Sequence, residues 1–377
     1  MAEDLQLVKD LFTGEITGER IGRVPTHAEL CLSAEVDPDM YETTRINSWT
    51  TSFKDRESGE IRQVANWQRR AAPKKGVAEL AMLEQVKAEL LSAAPKYSAP
   101  VIRDPRRSVS GNLLMGEVAL FDIHMAMLAW EPETGDNYDL GIARQRADQA
   151  YERHYRALEH HARDLDHILL PIGQDLFHTD GIIPQTTAGT PQDVDTRWAK
   201  SFLVARQMIT DAVGMFLDLA PVKIVVVPGN HAEQKAWYLG EVLRAYYEGA
   251  KDVKVDNRPR PRKYHGFGKN LIGFTHGDKE KHKQLAGIMA AEAPKHMLYD
   301  SHDGWREWHV GHLHRNRMYL DEETGVRVRW LPSLAGTDAW HNSKGYINNQ
   351  IGSRSLLWDR EHGLVETHNF NVRREIV

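Results

Sequence analysis

The chain has 377 residues and a formal net charge of −5, with 41% of its residues hydrophobic and 27% charged. This composition is ordinary for a globular protein and excludes disorder as the main state. At roughly 100–200 residues per domain, the length predicts two domains. The mild negative charge excludes a protein that coats nucleic acid through bulk charge, although it leaves room for an enzyme with a local basic path.

The sequence also argues against a membrane-spanning helix and an internal disulfide. No apolar run approaches the roughly 18 residues that a spanning helix requires, and the start Met1–Asp4 lacks the basic and apolar regions of a secretory signal. The single cysteine, Cys31, has no second cysteine with which to form an internal disulfide. We therefore expect a soluble cytoplasmic protein with no membrane partner.

The first part of the chain predicts short helices. Glu3–Phe12 carries apolar residues at helical spacing, and Thr26 stands where a helix N-cap is expected. Ala28–Val36, a turn at 37–39 and Met40–Ile46 have the lengths of a helix-turn-helix, which would bind DNA. Plain packing and a lid over an active site are the alternatives for this region.

A hairpin, a helix and a linker are predicted next. Ser48–Phe53 and Ile61–Trp67 alternate and predict a hairpin, while Val77–Leu91 carries one apolar face and predicts a helix. Ser98–Gly111 is rich in proline, arginine and serine and predicts a linker. The predicted organisation is therefore a small α+β accessory region at 1–97, followed after the linker by a second domain at 112–377.

From residue 112 onward one pattern recurs: an apolar run of strand length ends in a cluster of acidic, amide and histidine residues. Helical segments predicted at Ile142–Leu165 and Trp198–Leu219 separate some of these runs, and strands that alternate with helices indicate an α/β architecture. In such sheets the site lies outside the carboxyl ends of the strands. The candidate metal ligands that follow the runs are Asp122, His124, Asp175, Asn230, His276, His312 and His314.

These residue types indicate a divalent metal ion. Aspartate, histidine and asparagine without cysteine favour Mn²⁺, Fe²⁺ or Zn²⁺, and in an extended segment both side chains of Asp122 and His124 would point the same way. A bridging carboxylate can hold two ions about 3.5–4 Å apart. Such a pair clamps phosphate oxygens and lowers the pKa of a bridging water, which gives a hydroxide nucleophile.

The ordered motifs D-x-H, G-D-x-x-[D/H], G-N-H, H-G-x and G-H-x-H resemble those of the calcineurin-like metallophosphoesterase family, with matches between Asp122 and His314. The resemblance implies a β-sandwich flanked by helices and two metal ions. It implies that one ion is held by Asp122, His124, Asp175 and His314. It implies that the other is held by Asp175, Asn230, His276 and His312, with Asp175 bridging. His231 would then be a catalytic residue near the leaving group, as proton donor or as stabiliser of the charge at phosphorus.

The second motif departs from the family pattern. Gln174 separates Gly173 from Asp175, and the last position is His178. The Asp-Leu-Phe-His form is similar to that of the nuclease subunits of double-strand-break repair complexes, in which this histidine contacts the substrate phosphate. The likeness favours a phosphodiesterase, with His178 as a second catalytic residue. The whole of Asp122–Val377, including Asp180 and Gly336–His341, also resembles the phage-encoded branch of the family, whose host would be an infected bacterium.

Further residues are predicted to contact substrate. Asp278 follows His276 closely and is expected either beside the ligands or as a cap of a helix over Glu280–Glu292. The basic run with Arg258, Arg260 and Arg262 either follows a phosphate backbone or forms a charged sheet edge. Trp340 and His341 either contact a nucleotide by stacking or belong to the core. The helix histidines, at 154, 160, 161 and 167, are expected on a solvated face.

The predicted function is a metal-dependent phosphodiesterase, foremost a DNA nuclease acting as exonuclease or endonuclease. Two ions are expected, with Mn²⁺ preferred and Fe²⁺, Zn²⁺ and Ni²⁺ as alternatives. One rival is a phosphodiesterase for cyclic or 2′,3′-cyclic nucleotides, and another is a DNA-binding or assembly protein whose phosphoesterase domain is secondary. DNA is the expected partner. An ATPase partner or a homo-oligomer has no support in the sequence.

Overall fold

The computed structural model describes residues 5–9, 15–21, 23–54, 60–74, 113–347 and 349–372. The chain divides into two units, Met1–Ser92 and Ala93–Val377. The predicted helix Val77–Leu91 and the predicted linker Ser98–Gly111 lie outside the described residues, so the domain boundary between them stays a prediction.

The smaller unit is an antiparallel sheet with one α-helix, in keeping with the predicted α+β region. Its core contains Ile16, Leu30, Cys31 and Ala71, which lie on two strands and on the helix. The sheet order is β1-β2-β4-β3. The elements are β1 Gln6–Lys9, β2 Ile16–Ile21, α1 His27–Ser33, a 3₁₀ turn Pro38–Met40, β3 Tyr41–Lys54 and β4 Ile61–Pro73.

Two helix predictions in this unit are wrong. The described part of Glu3–Phe12 contains strand β1, which pairs with β2, and Met40–Ile46 enters the long strand β3 instead of forming a second helix. Threonines and Ile46 favour extended backbone, and pairing with β4 fixes it. Residues 23–54 therefore contain no helix-turn-helix, although the N-cap is confirmed, because the Thr26 hydroxyl accepts a hydrogen bond from the Glu29 amide at 3.2 Å.

The larger unit is built on two sheets that pack face to face. One sheet has six strands in the order β15-β14-β5-β6-β7-β8, and the other has five in the order β12-β13-β11-β10-β9. The strands are β5 Leu114–Ala119, β6 Leu165–Gly173, β7 Val222–Val227, β8 Val253–Asp256, β9 Lys263–Phe267, β10 Asn270–Thr275, β11 Trp305–Val310, β12 Arg317–Leu320, β13 Arg327–Trp330, β14 Gly352–Asp359 and β15 Gly363–Asn371.

Apolar side chains from both sheets meet in the sandwich core. Met115 and Leu169 from the first sheet pack with Ile272 and Phe274 from the second, and Trp358 joins them. The central strands β5 to β8 are parallel, and parallel strands covered on both faces consist mainly of branched apolar residues, as in β7. This mixed α/β sandwich confirms the predicted fold class.

Most of the helices pack on the two sheets. The helices are α2 Glu131–Thr134, α3 Leu140–Glu159, α4 Trp198–Leu217, α5 Glu233–Tyr246, α6 Leu285–Glu292, α7 Lys295–Asp300 and α8 Ala339–Ser343. The short helices α2 and α8 contact each other. Helix α3 contacts β5, β14 and β15, while α4 and α5 contact β7. Helix α6 packs on the outer face of the five-stranded sheet through Leu285 and Met289. None of the helices that the structure describes combines the length and apolarity needed to cross a membrane.

Two of the helix histidines are buried, which corrects the prediction of a solvated face. His154 is enclosed between α3 and β14, where its Nε2 lies 2.8 Å from Ser353 Oγ, and burial lowers its pKa to about 3. His167 is buried at the start of β6, with its Nε2 2.9 Å from His265 Nε2. Both therefore serve packing inside the fold.

Candidate metal centre

The loops that follow β5, β6, β7, β10 and β11 converge at one edge of the sandwich. The loops after β5 and β6 are joined by backbone hydrogen bonds: the Asp122 amide donates to the Gln174 carbonyl, and the His124 amide donates to the Asp175 carbonyl, both at 2.9 Å. The loop after β11 joins them because the His312 amide donates to the Asp122 carboxylate at 3.1 Å. The predicted ligands therefore lie together, as their positions at strand ends indicated.

The predicted ligand residues have an unusual backbone. Asp122, His124, Asp175, His312 and His314 all have positive φ, between 48° and 65°. Residues other than glycine rarely adopt this left-handed backbone conformation, which costs of order 1–3 kcal/mol per residue. The Asp122–His124 segment is therefore not extended as expected, and its two side chains converge because the chain turns. Such strain persists only where surrounding contacts impose it.

Two glycines allow the loops to approach each other closely. A Cβ on Gly229 would lie 2.0 Å from Asp175 Oδ1, and a Cβ on Gly311 would lie 2.6 Å from Asp122 Oδ2. Distances below 3.0 Å are not sterically allowed for a real Cβ. The glycines of the G-N-H and G-H-x-H motifs are therefore required by the space that the two buried carboxylates occupy.

A first group of potential ligands comprises Asp122, His124 and His314, whose ligand atoms all lie within 4.8 Å of one another. His124 Nε2 is 3.2 Å from His314 Nε2, and His314 Nε2 is 3.7 Å from Asp122 Oδ1. Burial, together with the neighbouring histidines, lowers the pKa of both imidazoles. Burial also raises the pKa of Asp122 to about 7. Neutral imidazole is the form that binds metals.

A second group comprises Asp175, His276 and His312, with the Asn230 side chain beside it. His276 Nε2 lies 2.9 Å from Asp175 Oδ2 and 2.7 Å from Asn230 Oδ1. Burial opposes both charges, but their mutual attraction prevails: it lowers the pKa of Asp175 and raises the pKa of His276 to about 9. The Asp175–His276 pair thus favours a bound proton, and a metal ion could take the place of that proton between the same two groups.

The two predicted catalytic histidines form a third group with His124. The ring of His178 stacks on the ring of His231, with centroids 5.2 Å apart. The His231 Nδ1–H donates to the His178 carbonyl at 3.0 Å, and the His231 amide donates to Asp175 Oδ1 at 2.9 Å. His178 Nδ1 is 3.2 Å from His124 Nδ1. The orientation of both rings is therefore tied to the ligand groups.

Sequence reasoning missed the role of the inserted glutamine. Gln174 is fully buried; its Nε2 donates to the Thr275 carbonyl at 3.2 Å, and its Oε1 accepts from His276 Nδ1 at 3.3 Å. This contact holds the Nδ1–H of His276 towards Gln174, so that Nε2 is directed at Asp175 and Asn230. Its departure from the family pattern was the only signal of such a role.

A cavity of about 470 Å³ is lined by members of both ligand groups and by the two predicted catalytic residues: His124, Asp175, Asn230, His312, His314, His178 and His231. Trp340, His341 and Tyr346 form one wall, and Trp340 is 59% exposed, so it is not the core residue of the alternative prediction. His341 stacks on His314 with centroids 5.2 Å apart, while its Nδ1 lies 2.8 Å from Asp338 Oδ1. The structure therefore brings both of these predicted substrate contacts to the centre.

Of the other predicted substrate contacts, Asp278 lies beside the ligand groups, where its charge acts, against the effect of burial, to raise the pKa of both His276 and His312. It is exposed and does not cap a helix, because α6 begins at Leu285. The three predicted arginines lie elsewhere. Arg262 is held by Glu280 at 2.6 Å and Glu292 at 2.5 Å. Arg258 and Arg260 line a different cavity from that of the ligands.

Comparisons with known proteins give weak matches. No family model and no curated protein matches the chain. A predicted phosphoesterase of Streptococcus pneumoniae shares 10% identity over 69% of this chain and 98% of its own, with a TM-score of 0.26. Zinc-bound Vps29 of Entamoeba histolytica shares 11% identity over 69% and 99%, with a TM-score of 0.28. A putative 5′-nucleotidase of Staphylococcus aureus shares 13% identity over 69% and 54%, with a TM-score of 0.29. Similarities of this size support no statement about family or activity.

Proposed function

We propose that this protein is a metal-dependent phosphodiesterase that hydrolyses DNA. The observation that carries the proposal is the presence of two adjacent ligand groups, one around Asp122 and one around Asp175, whose members line a single cavity together with His178 and His231. The sequence motifs and the resemblance to calcineurin-like metallophosphoesterases support the same reading.

The residues present fit two divalent ions. Their ligand atoms are carboxylate oxygens, an amide oxygen and imidazole nitrogens, which suit Mn²⁺, with Fe²⁺, Zn²⁺ and Ni²⁺ as alternatives. In this proposal one ion is held by Asp122, His124 and His314, the other by Asn230, His276 and His312, and Asp175 serves both. Ions bound there would polarise phosphoryl oxygens and lower the pKa of water.

His231 is positioned to exchange a proton with the substrate. Its Nδ1–H is committed to the His178 carbonyl, so Nε2 is the nitrogen that remains for the cavity. Protonated at Nε2, the ring can give its proton to the departing ester oxygen, which would otherwise leave as a costly alkoxide. The amide contact with Asp175 keeps the ring beside the ligand groups.

The walls of the cavity favour a diester over a monoester. A diester carries a second ester group that needs its own space beside the metal centre. Trp340 and Tyr346 provide an aromatic wall next to His314, and such side chains stack bases and sugars well. His178, in the loop after β6, lines the same cavity and would offer a ring nitrogen to a phosphate oxygen.

A phosphodiesterase for small cyclic nucleotides is the second candidate. A cavity of about 470 Å³ falls in the range of roughly 300–1,000 Å³ that is typical of small-molecule sites. The third reading, a DNA-binding protein with a secondary phosphoesterase domain, rested on the helix-turn-helix, which residues 23–54 do not form.

The test is hydrolysis of end-labelled linear and circular DNA, single-stranded and duplex, beside a set of cyclic nucleotides, all with Mn²⁺. Asp175→Asn is the inactive variant, and His362→Ala, which changes an exposed histidine of the β14–β15 turn, is the matched control. Metal-dependent DNA cleavage that is lost only in Asp175→Asn supports the proposal. Intact DNA with consumed cyclic nucleotide would select the second candidate, and hydrolysis by Asp175→Asn at the wild-type rate would refute both.

A further inference from the structure

A second cavity, of about 310 Å³, lies on the other side of the loop that carries Asn230. Trp237 and Tyr238 of α5 form one wall, and Pro259, Arg260 and Pro261, from the segment after β8, form the other. The metal-centre residues do not line it. The predicted basic run therefore contributes to a separate pocket in which an aromatic wall faces prolines and an arginine.

The pocket is held open by fixed contacts. The Asn257 amide donates to the Trp237 carbonyl at 3.0 Å and to Glu241 Oε1 at 2.8 Å, which ties the segment to α5. The Arg258 guanidinium forms a two-point ion pair with Asp256, at 2.8 and 2.5 Å. The buried Lys263 ammonium donates to the Arg258 carbonyl. Together with the two prolines, these contacts preform the wall opposite Trp237, so a ligand would not have to order it.

The pocket offers a ligand the rings of Trp237 and Tyr238 and the guanidinium of Arg260, whereas the Glu233 carboxylate is paired with Lys279 at 3.3 Å. Trp237 is 37% exposed, and Arg260 is exposed and has no ion-pair partner within the described part of the chain. Its neighbours differ, because Arg258 is paired with Asp256 and Arg262 with two glutamates. A flat ring beside an anionic group, as in a nucleotide, matches this combination.

The pocket and the metal centre share one loop. Pro228 and Glu233 line the pocket, whereas Asn230 and His231 line the metal-centre cavity. Pro228 stands two residues before Asn230, and Glu233 stands two residues after His231, and two residues span at most about 7 Å. This is about the length of one nucleotide of a single strand, so a strand whose phosphate lies at the metal centre can reach the pocket across the loop.

We propose that this pocket binds a nucleotide of the DNA strand away from the scissile phosphate, with its base on Trp237 and its phosphate at Arg260. The proposal rests on the proposed function, because it assumes a polynucleotide substrate. It names single-stranded DNA as the form bound, since a base in a duplex does not expose its face for stacking.

The test measures binding without catalysis. Fluorescence anisotropy of a labelled single-stranded oligonucleotide is followed with the full-length protein in EDTA, so that the metal centre cannot cleave it. Trp237→Ala is expected to weaken binding about tenfold, the size of one lost stacking contact. Arg260→Ala is expected to weaken binding by a similar factor of about ten, because it removes a phosphate contact. Trp237→Phe keeps a ring and should stay near wild type. Arg260→Ala should also reduce the slope of log K against log salt by about 0.7.

Matched controls and a second substrate separate the outcomes. Trp130→Ala and Arg163→Ala remove an exposed tryptophan and an exposed arginine that line neither cavity, and should bind normally. Hydrolysis of bis(p-nitrophenyl) phosphate with Mn²⁺ should be unchanged in both pocket variants, because this diester is too short to reach the pocket. Wild-type oligonucleotide affinity in Trp237→Ala and Arg260→Ala would overturn the inference and leave the proposed function intact. Absence of any diester hydrolysis by the wild type would instead refute the proposed function, while the anisotropy result would still decide whether the pocket binds nucleotides.

Discussion

Gln174 orients His276: the Gln174 Oε1 lies 3.3 Å from His276 Nδ1, while the same amide donates to the Thr275 carbonyl. The side chain is fully buried, and it links the loop after β6 to the end of β10. Partners of this kind fix the tautomer and the direction of a ligating imidazole. The extra residue of the second motif thus has a structural reason.

Replacement of this glutamine should weaken metal binding. Gln174→Leu removes the acceptor for His276 Nδ1, and loss of such a partner typically lowers metal affinity about 10- to 100-fold. Gln174→Glu keeps an acceptor at the same place and should retain more of the affinity. Mn²⁺ titration by calorimetry measures this directly, with Gln192→Leu, a half-buried residue of the cavity wall, as control. Equal affinity in wild type and Gln174→Leu would show that the contact is incidental.

Because Gly229 approaches Asp175 closely, we predict that one added methyl group at this position lowers metal affinity and activity. In Gly229→Ala the new Cβ would fall 2.0 Å from Asp175 Oδ1, so the carboxylate that we propose to serve both ions must move. We expect Mn²⁺ affinity and diester hydrolysis to fall by about two orders of magnitude.

The matched control for this change is Gly214→Ala in the last turn of α4, where nothing lies within 4 Å of the added Cβ. Alanine is favoured over glycine inside helices by roughly 0.5–1 kcal/mol, so this variant should be fully active and slightly more stable in urea unfolding. Normal Mn²⁺ affinity in Gly229→Ala would mean that Asp175 is not a shared ligand.

The sequence predicted the candidate centre better than the N-terminal unit, for a physical reason. Each of five predicted ligands follows a buried strand with a clear apolar run, and the ends of these strands lie at one edge of the sandwich. The five are Asp122, Asp175, Asn230, His276 and His312. Residue type and order therefore located the centre. The left-handed backbone of these residues could not be predicted, because contacts between loops impose it.

In the smaller unit, local pattern and final structure disagree. The apolar residues of Glu3–Phe12 have helical spacing, but Gln6–Lys9 within this segment forms a strand because it pairs with β2. Met40–Ile46 is short and ambiguous, and its threonines allow either state. Pairing partners distant in sequence decide such segments. The hairpin of β3 and β4 was predictable because both of its strands alternate over many residues.

Metal removal should destabilise the larger unit. A ligand that binds only the folded state stabilises it by about 2.7 kcal/mol at one hundred times its Kd. We expect Mn²⁺ to shift the urea unfolding midpoint of the wild type upward and EDTA to reverse the shift. Asp175→Asn should show little response to Mn²⁺. A wild-type midpoint that is the same in Mn²⁺ and EDTA would contradict the assignment of the ligand groups.

The last prediction concerns pH and a buried ionic network between the two sheets. His309 Nδ1 lies 2.5 Å from Glu117 Oε1, and its Nε2 lies 3.2 Å from Glu307 Oε1, which also accepts from Arg329. Burial opposes the charge on His309, but the two glutamates raise its pKa to about 9. Burial likewise opposes the charge on Glu307, but His309 and Arg329 lower its pKa to about 2.

These pKa values set the direction of the stability change. The folded pKa of His309 exceeds the ordinary value of 6.5, so its contribution is complete below pH 6.5, declines as pH rises and is lost above about 9. At about 1.4 kcal/mol for each pH unit, the free energy of unfolding should fall by a few kcal/mol across this interval. The Glu307 contribution is complete above pH 4.5 and is lost as pH falls towards 2. Urea unfolding between pH 6 and 10 measures the first effect, and His309→Gln should be less stable at pH 6 and should lose most of the slope. If His309→Gln kept the wild-type slope, the fall in stability would have to come from another group, and the network would not be the source of the pH dependence.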